Sequence, residues 1–386
     1  MRFAEFFAGV GLVREGLLDS GWQCVWANDI SADKMSTYVE NYGDDHFHLE
    51  DIWKVAAGPE NIIPEDVFLY TASFPCTDLS VAGSRAGLAG EESGTLNAVL
   101  KILEQKKLAN DLPKIVMLEN VSGFLTSKAG KDVVETVKAL SELGFVVDII
   151  ELDAALFTPQ SRPRVFLIAV IETLATKCMH VKSADVFCDS WWQKFDEQPK
   201  LRSAKLKRLI ASHEELNWGL LDIPLPEPRT AILDDIIEHD IPDVSSLWWS
   251  DKRRNHLFAQ MNPAHQAKLQ AMMDNKFFSY GTVFRRMRAG VSMAELRTDG
   301  IAGCLRTPRG GSSKQILVRA GNGEWRVRLL TPREYARLQG VRDSFVLPNN
   351  VNKAYFAMGD AVCVPAIEHL SKYALTPIYK FSQVSR

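Results

Sequence analysis

The chain of 386 residues is 46% hydrophobic and 24% charged, with a formal net charge of −3. These values are typical of a soluble globular protein, and they exclude disordered, collagen-like and membrane-spanning classes. Two domains are expected, because one domain usually takes roughly 100–200 residues. The chain begins with an apolar, strand-like run rather than a secretory signal, and its six cysteines form no C-x-x-C pair. We therefore expect a cytoplasmic protein without a disulfide framework or a metal site.

Short apolar runs alternate with amphipathic stretches over the first part of the chain. The strand-like runs are MRFAEFFAG, WQCVWAND, VFLYTAS, PKIVMLENV, FVVDIIELD and RVFLIAV, in that order. Helix candidates lie between several of them, including LVREGLLDSG, Thr95–Lys107 and Lys131–Leu143. Alternation of this kind predicts an α/β fold with a mostly parallel sheet and helices on both faces.

A second domain is indicated after the last of these runs. The sequence becomes irregular, with prolines concentrated at Pro224–Pro228 and an acidic cluster at Asp234–Asp243. The final stretch, AYFAMGDAVCVPAIEHLSKYAL, is apolar and helical again, so it could rejoin the first domain. We predict that residues 1–172 and 351–386 form one domain and that residues 173–350 form the other.

The segment FFAGVGL places Gly9 and Gly11 where the first strand gives way to a helix, and Asp29 ends the second strand. Glycines at such a turn let a nucleotide-type ligand approach the backbone, and a carboxylate at the next strand end commonly binds ribose hydroxyls. A tight turn followed by a surface aspartate explains the pattern equally well. Arg14 stands where a dinucleotide fingerprint has its third glycine, which argues against a nicotinamide cofactor.

Polar residues also mark other predicted strands. Cys76 follows the strand VFLYTAS, Glu119 lies at the end of KIVMLENV, and Arg162 and Arg164 lie at the start of RVFLIAV. A cysteine at the carboxyl end of a parallel strand can act there as a thiolate nucleophile, although most cysteines are small buried hydrophobic residues. Taken alone, Glu119 is more typical of a solvated strand end or a helix cap. The two arginines, on one face by strand alternation, are more typical of a salt-bridged edge.

The ordered set of segments resembles the cytosine 5-methyltransferases that act on DNA. The matching segments are FFAGVGL, FPCTDLSVAGSRAGL, ENV, QSRPR, RLLTPREYARLQG and GDAVCVPAIEHL. They lie towards both ends of the chain and leave about Glu172–Arg297 as variable sequence. The resemblance implies a Rossmann-like α/β catalytic domain with a mostly parallel sheet. It also implies a smaller, irregular, β-containing target-recognition domain.

The resemblance further implies a covalent mechanism. Cys76 would add to carbon 6 of a cytosine flipped out of the duplex, so that carbon 5 becomes reactive enough to take a methyl group. Glu119 would hold the ring N3 proton and the exocyclic amine. Arg164 would grip the cytosine O2, and Arg162 would support the site.

S-adenosylmethionine is the cofactor that the resemblance implies. Phe7 would pack against the adenine, and Asp29 would bind the ribose. The full set of implied cofactor-binding residues is Phe7, Gly9, Gly11, Asp29, Ile30, Asp51, Ile52, Pro75, Asp360 and Val362. The family's usual Gly, Glu, Gln and Asn are replaced at four positions by Leu12, Asp29, Thr77 and Asp360.

A basic segment lies in the second predicted domain. Between Val283 and Arg333, eleven Lys and Arg residues stand against three acidic residues, which gives a local charge of +8. This concentration is typical of phosphate contact, and arginines suit guanine reading in the major groove. An exposed hairpin that balances the acidic cluster would give the same pattern. The expected DNA contacts are Ser80, Arg85, Arg285, Arg286, Arg288, Arg306, Arg309 and Lys314.

Three rival functions remain to be weighed. A tRNA cytosine methyltransferase is disfavoured by a recognition segment of roughly 150 residues, and a nicotinamide oxidoreductase by the incomplete glycine fingerprint. A catalytically silent nucleic-acid-binding homologue is disfavoured by the joint presence of Cys76, Glu119 and Arg164. We expect a monomer bound to double-stranded DNA of the nucleoid, without membrane contact. The sequence leaves open whether a restriction endonuclease acts on the same site.

Overall fold

The computed structural model of the chain describes residues 1–58, 62–75, 93–182, 189–288, 290–307 and 314–384. The chain divides into two compact units. Unit 1 comprises Met1–Leu152, Pro163–Pro226 and Ala366–Arg386, and unit 2 comprises Asp153–Arg162 and Glu227–Pro365. This division differs from the predicted boundaries at residues 172 and 350. Residues 173–226 pack within unit 1, whereas residues 153–162 and 351–365 pack within unit 2.

Unit 1 is built around a seven-stranded sheet. Its strands are β1 (Arg2–Phe6), β2 (Gln23–Asp29), β3 (Phe47–Leu49), β4 (Leu69–Ser73), β5 (Ile115–Val121), β6 (Phe145–Asp153) and β7 (Pro163–Ile171). Their order is β3-β2-β1-β4-β5-β7-β6; the first five are parallel, and β7 is antiparallel to β5. The predicted mostly parallel α/β fold is confirmed. The strand order reverses between β1 and β4, and in such sheets ligands bind outside the carboxyl ends of the strands at that point.

Fifteen α-helices are found in the described ranges. They are α1 (Leu12–Leu18), α2 (Ala32–Tyr42), α3 (Ile52–Ala57), α4 (Leu96–Leu108), α5 (Lys131–Leu143), α6 (Glu172–Cys178), α7 (Asp189–Asp196), α8 (Ala204–Ala211), α9 (Leu233–Ile236), α10 (Asp251–Ala259), α11 (Pro263–Met273), α12 (Pro332–Leu338), α13 (Val351–Asp360), α14 (Val364–Leu370) and α15 (Thr376–Val384). None of these helices combines the length and the apolar character that crossing a bilayer requires.

The core of unit 1 forms where amphipathic helices cover the sheet. In α5, Val133, Val137 and Leu140 recur at the spacing of one helical face, and all three are buried. Val99 of α4 and Val116 of β5 belong to the same hydrophobic cluster. Burial of these apolar side chains therefore fixes the helices against the strands that carry the candidate site.

Residues 173–226 belong to unit 1 because they close the free edge of β6. Backbone N–H groups of β6 donate to the carbonyls of Asn217 and Leu201, each over 2.8 Å. Arg202 binds the Asp148 carboxylate with Nε 3.1 Å from Oδ1, and both side chains are about 2% exposed. A short antiparallel pair, β8 (His180–Val181) and β9 (Gly219–Leu220), lies in the same segment. An edge strand that would otherwise expose unpaired backbone groups is thereby covered.

We expect Arg202→Met to destabilise the protein by about 3–5 kcal/mol, because the Asp148 carboxylate would stay buried without its cation. Urea unfolding followed by circular dichroism measures the loss. Lys138→Met is the matched control, since the ion pair of Lys138 with Glu142 is 65% and 68% exposed and should be worth at most about 1 kcal/mol. Equal losses in the two variants would show that the buried pair does not anchor the segment.

Unit 2 contains a four-stranded antiparallel sheet. Its strands are β10 (Ser279–Arg288), β11 (Val291–Arg297), β12 (Ile316–Gly321) and β13 (Glu324–Leu329), in the order β11-β10-β12-β13. Leu257 of α10 and Leu269 of α11 are buried with Val283 and Val318 of the sheet in a separate hydrophobic cluster. The predicted second, β-containing part of the chain is therefore present, with a core of its own.

Candidate active site

Several predicted site residues lie at the carboxyl ends of neighbouring parallel strands. Phe7 follows β1, Asp29 ends β2, Pro75 lies two residues beyond β4, and Glu119 lies near the end of β5. Because parallel strands end at the same edge of a sheet, these residues lie along one edge of unit 1. Four predicted site residues, Cys76, Ser80, Arg85 and Arg309, lie outside the described residues.

Glu119 and Arg164 form a buried ion pair in unit 1. The Glu119 Oε1 atom lies 3.0 Å from Arg164 Nε, and the side chains are 9% and 12% exposed. The pair forms because β7 runs antiparallel to β5, which places the start of β7 beside the end of β5, with Val121 opposite Arg164. Glu119 is therefore neither a solvated strand end nor a helix cap, contrary to its most typical role. Ser73, three residues before Cys76, is the register partner of Glu119 on β4.

Asn120 is a functional candidate that the sequence reasoning did not select. Its side-chain amide donates to the carbonyl of Phe74 over 3.0 Å, and its Oδ1 accepts from the Val121 N–H over 2.8 Å. The residue is 2% exposed. Asn120 therefore fixes the backbone two residues before Cys76. The available signal was a polar amide directly after Glu119 in an otherwise apolar run.

Arg162 is buried in unit 2 and binds backbone carbonyls. Its guanidinium donates to Leu305 O over 2.8 Å and to the carbonyls of residues 359–361, the shortest of these bonds being 2.6 Å to Ala361. Strand alternation does not apply to Arg162 and Arg164, because β7 begins only at Pro163. The described contacts of Arg162 thus organise the backbone of unit 2, and a supporting role remains the expectation for it.

The turn between β1 and α1, residues 7–11, is where the cofactor is predicted to bind, and we call it the glycine turn. The carboxylate of Asp29 holds this turn in place. Gly9 N–H donates to Oδ2 and Ser31 N–H to Oδ1, each over 2.9 Å. Phe7 and Gly9 take the left-handed backbone region, with φ of 55° and 58°. Asp29 therefore joins the turn after β1 to the start of α2.

The two glycines of this turn differ in what surrounds them. A Cβ placed on Gly9 would meet nothing closer than the Phe7 carbonyl oxygen at 4.0 Å, so a ligand has room to approach there. A Cβ on Gly11 would lie 2.6 Å from Tyr42 and 3.0 Å from Tyr38. Gly11 is required by the packing of α2, and the expected close approach of a ligand fits only Gly9.

The other predicted cofactor positions of unit 1 vary in exposure. Ile30 is 71% exposed just beyond β2, which suits an apolar cover for a planar ring. Asp51 caps α3, with Oδ1 accepting from Trp53 N–H over 2.9 Å. The side chain of Ile52 is buried in the hydrophobic cluster of unit 1, so it is a core residue. In this unit, Gly9, Asp29 and Ile30 therefore fit a nucleoside best.

The last two cofactor positions belong to unit 2. Asp360 ends α13 and is exposed, whereas the side chain of Val362 is buried. Across the described ranges, no three His, Cys, Asp or Glu side chains are grouped so as to hold a metal ion.

Glu5, which precedes the turn on β1, is buried and lies beside Arg14. Its Oε1 accepts from Arg14 N–H over 3.4 Å. Desolvation raises the pKa of Glu5 to about 8, although the nearby Arg14 acts in the opposite direction. Glu5 is thus protonated in the folded protein at a pH where it would be ionised in the unfolded chain.

The proton on the Glu5 carboxyl makes the free energy of unfolding depend on pH. The carboxyl contributes fully below its ordinary pKa of 4.5, and its contribution is lost as the pH rises to about 8, since only the unfolded state then gains from ionisation. We expect Glu5→Gln to flatten the fall in unfolding free energy between these values, measured by urea titrations at pH 5, 6, 7 and 8. Glu135→Gln, at an exposed position of α5, is the control. Parallel curves for wild type and Glu5→Gln would contradict the assignment.

The predicted DNA contacts that the structure describes lie in unit 2. Arg286 and Arg288, at the exposed end of β10, both bind the Glu295 carboxylate of β11, over 3.1 and 3.2 Å. Arg285 is half-buried, and Arg306 is exposed. Lys314 has a different environment, because its Nζ donates to Asn352 Oδ1 over 2.9 Å and lies 4.3 Å from the ring centre of Tyr355.

Other cations of the basic segment are neutralised within unit 2. Arg319 Nη2 lies 2.9 Å from Asp243 Oδ1, and Arg326 donates to the Asp243 carbonyl over 2.9 Å. Arg328 and Glu334 form a pair that is 1% and 0% exposed. Part of the basic segment therefore balances the acidic cluster, as the alternative interpretation of its charge expected.

Known proteins share the sequence motifs and the fold of this chain. A family model described as C-5 cytosine-specific DNA methylase matches residues 1–375. Type II methyltransferase M.DsaV of Dactylococcopsis salina is 26% identical over 383 residues, which cover 98% of this chain and 87% of the relative. Type II methyltransferase M.Bsp6I of Bacillus sp. (strain RFL6) is 24% identical over 378 residues, which cover 96% and 98%. The S. pombe Dnmt2 methyltransferase shares the fold, with a TM-score of 0.59, 17% identity and 98% coverage of both chains.

The chain belongs to the C-5 cytosine-specific DNA methylase family, and the resemblance found in its motifs is confirmed. It is therefore an enzyme that methylates carbon 5 of cytosine in DNA. The family matches across both units, so the match includes the strand ends of unit 1 and the sheet of unit 2.

Proposed function

We propose that the enzyme transfers a methyl group from S-adenosylmethionine to a flipped-out cytosine in one specific duplex sequence, through a covalent adduct with Cys76. The observation that carries the proposal is the buried Glu119–Arg164 pair at the end of β5, in register with the strand that leads to Cys76. The enzyme would act in the cytoplasm as a monomer on nucleoid DNA. It would serve either beside a restriction endonuclease of the same specificity, as type II relatives suggest, or alone.

The residues of the site would divide the chemistry among them. Cys76 Sγ would bond to carbon 6 of the cytosine, while Glu119 shares a proton with ring N3 so that negative charge does not build up on the ring. Arg164 would orient the Glu119 carboxylate and donate to the cytosine O2. After carbon 5 has gained the methyl group, it would lose its proton, and the bond from Sγ to carbon 6 would break.

The cofactor would lie at the turn between β1 and α1. When bound, S-adenosylmethionine supplies an electrophilic methyl group. The fit rests on the open space beside Gly9, the carboxylate of Asp29 at the end of β2, and the exposed apolar side chain of Ile30. Asp29 already accepts two backbone N–H bonds, yet each carboxylate oxygen can accept a further bond from a ribose hydroxyl.

We expect Cys76→Ser to abolish methylation while leaving cofactor affinity largely intact, because the covalent step needs the thiolate and the cofactor lies at the glycine turn. Transfer of tritium from labelled cofactor to DNA, tRNA and free nucleotide measures activity and separates the rival substrates. A duplex containing 5-fluorocytosine should trap an adduct that resists denaturation, since fluorine blocks the final proton loss. A serine variant that keeps more than a few per cent of turnover would overturn the nucleophile assignment.

We expect one of Arg306 and Arg309 to read a base, so that its change to alanine costs about 1–3 kcal/mol at one position of the target and relaxes specificity there. Bisulfite sequencing of DNA from an expressing host identifies the target. Affinities for single-base variants at several salt concentrations then separate base readers from phosphate contacts, because replacing a phosphate contact weakens binding to every sequence and lowers the salt slope by about one unit.

The control in this series is Arg319→Ala, because Arg319 is already paired with Asp243. Its salt slope and its specificity should match those of the wild type. If both the Arg306 and the Arg309 variants also bind every duplex as the wild type does, the segment around them does not touch DNA.

A further inference from the structure

The turn that would receive the cofactor is attached to α2 at a second point besides Asp29. The hydroxyl of Tyr42, the last residue of α2, lies 3.2 Å from the carbonyl oxygen of Gly11 and 2.6 Å from Glu15 Oε2. Glu15 belongs to the first turn of α1 and is buried. One phenolic proton therefore serves both the carbonyl that ends the glycine turn and the carboxylate of the following helix.

The ring of Tyr42 is as closely fitted as its hydroxyl. It occupies the space that a side chain at Gly11 would need, because a Cβ there would lie 2.6 Å from Tyr42 Cε2. The Arg14 guanidinium lies over the ring, 4.3 Å from its centre. The start of α1 therefore meets the ring of Tyr42 as well as its hydroxyl.

Two attachments together fix the turn in place. Asp29, before the start of α2, holds Gly9 from one side, and Tyr42, at the other end of the same helix, holds Gly11. The helix spans eleven residues, so these attachment points are well separated along it. The position of α2 therefore sets the backbone of the turn, including the N–H and the open space at Gly9.

We propose that Tyr42, acting with Glu15, is a positioning residue that shapes the glycine turn for S-adenosylmethionine. The inference rests on the proposed function, since it requires the cofactor to bind at this turn. Tyr42 does not touch the cofactor; it lowers the cost of binding by holding the turn in the bound geometry beforehand. Its effect should therefore appear in cofactor affinity and leave the chemical step unchanged.

The test is isothermal titration of S-adenosylhomocysteine into the wild type and the Tyr42→Phe variant, well below the melting temperature of each. The variant keeps the ring that packs on Gly11 and loses only the hydroxyl. We expect its dissociation constant to rise about three- to tenfold, the range of one lost hydrogen bond. The KM for S-adenosylmethionine should rise similarly, with kcat at saturating cofactor unchanged. Tyr70→Phe, which alters a buried tyrosine of β4 outside the turn, should bind like the wild type.

Variants of Glu15 show whether the two residues act as a unit. Glu15→Ala should weaken binding of S-adenosylhomocysteine as much as Tyr42→Phe does, and the double variant should bind no more weakly than either single variant. Glu15→Gln keeps an acceptor oxygen, so it should retain most of the wild-type affinity. Unchanged dissociation constants in Tyr42→Phe and Glu15→Ala, even with lowered melting temperatures, would overturn the inference and leave Tyr42 a packing residue. A wild type that does not bind S-adenosylhomocysteine would instead overturn the proposed cofactor site itself.

Discussion

The direction of one strand determines where the charged pair of the site can form. β7 lies between β5 and β6 and runs antiparallel to β5, so its first residues stand beside the carboxyl end of β5. Arg164 enters there and compensates a carboxylate that would otherwise be buried alone, which is among the costliest arrangements in a protein. A slip of one residue in this register would turn Arg164 to the other face of the sheet. The candidate chemistry of Glu119 therefore depends on the pairing of β5 with β7.

The sequence was sufficient to predict the fold class and most of the strand ends. Apolar runs bounded by glycine or polar residues predict buried strands whatever their partners, and the alternation of strands and helices predicts a mostly parallel sheet. The strand-end positions of Asp29 and Glu119 could therefore be predicted, and the family resemblance then selected Glu119 as a candidate site residue. The burial of Glu119 could not be predicted, because it depends on Arg164, a partner 45 residues away in the sequence.

The unit boundary was harder to predict for a related reason. Prolines and an irregular pattern after Ile171 resemble a new domain, yet the segment up to Pro226 is held to β6 by backbone hydrogen bonds and by Arg202. The signal that was available is Asp148, a lone carboxylate within the apolar run FVVDIIELD. A charge in a buried strand requires a partner, but the sequence alone does not say which of many arginines supplies it.

A charge count along the sequence overestimates the basic surface, because it ignores carboxylates that are distant in the sequence but close in space. The local charge of the basic segment includes Arg319 and Arg326, which Asp243 already holds, and Arg328, which pairs with Glu334 in the core of unit 2. Such cations stabilise the unit rather than attract a polyanion. Fewer cations are consequently available to a polyanion than the charge count along the sequence suggests, and even Arg286 and Arg288, at the exposed end of β10, share the Glu295 carboxylate.

The assembly of unit 2 from two stretches of chain has a consequence for protein engineering. The two stretches are Asp153–Arg162 and Glu227–Pro365, and the short stretch supplies the guanidinium that binds the carbonyls of residues 359–361. A chimera that exchanged residues 173–350 for the corresponding part of a relative would cut through both units. A graft that respects the packing would begin at Glu227, end at Pro365, and carry the ten residues from Asp153 to Arg162 with it.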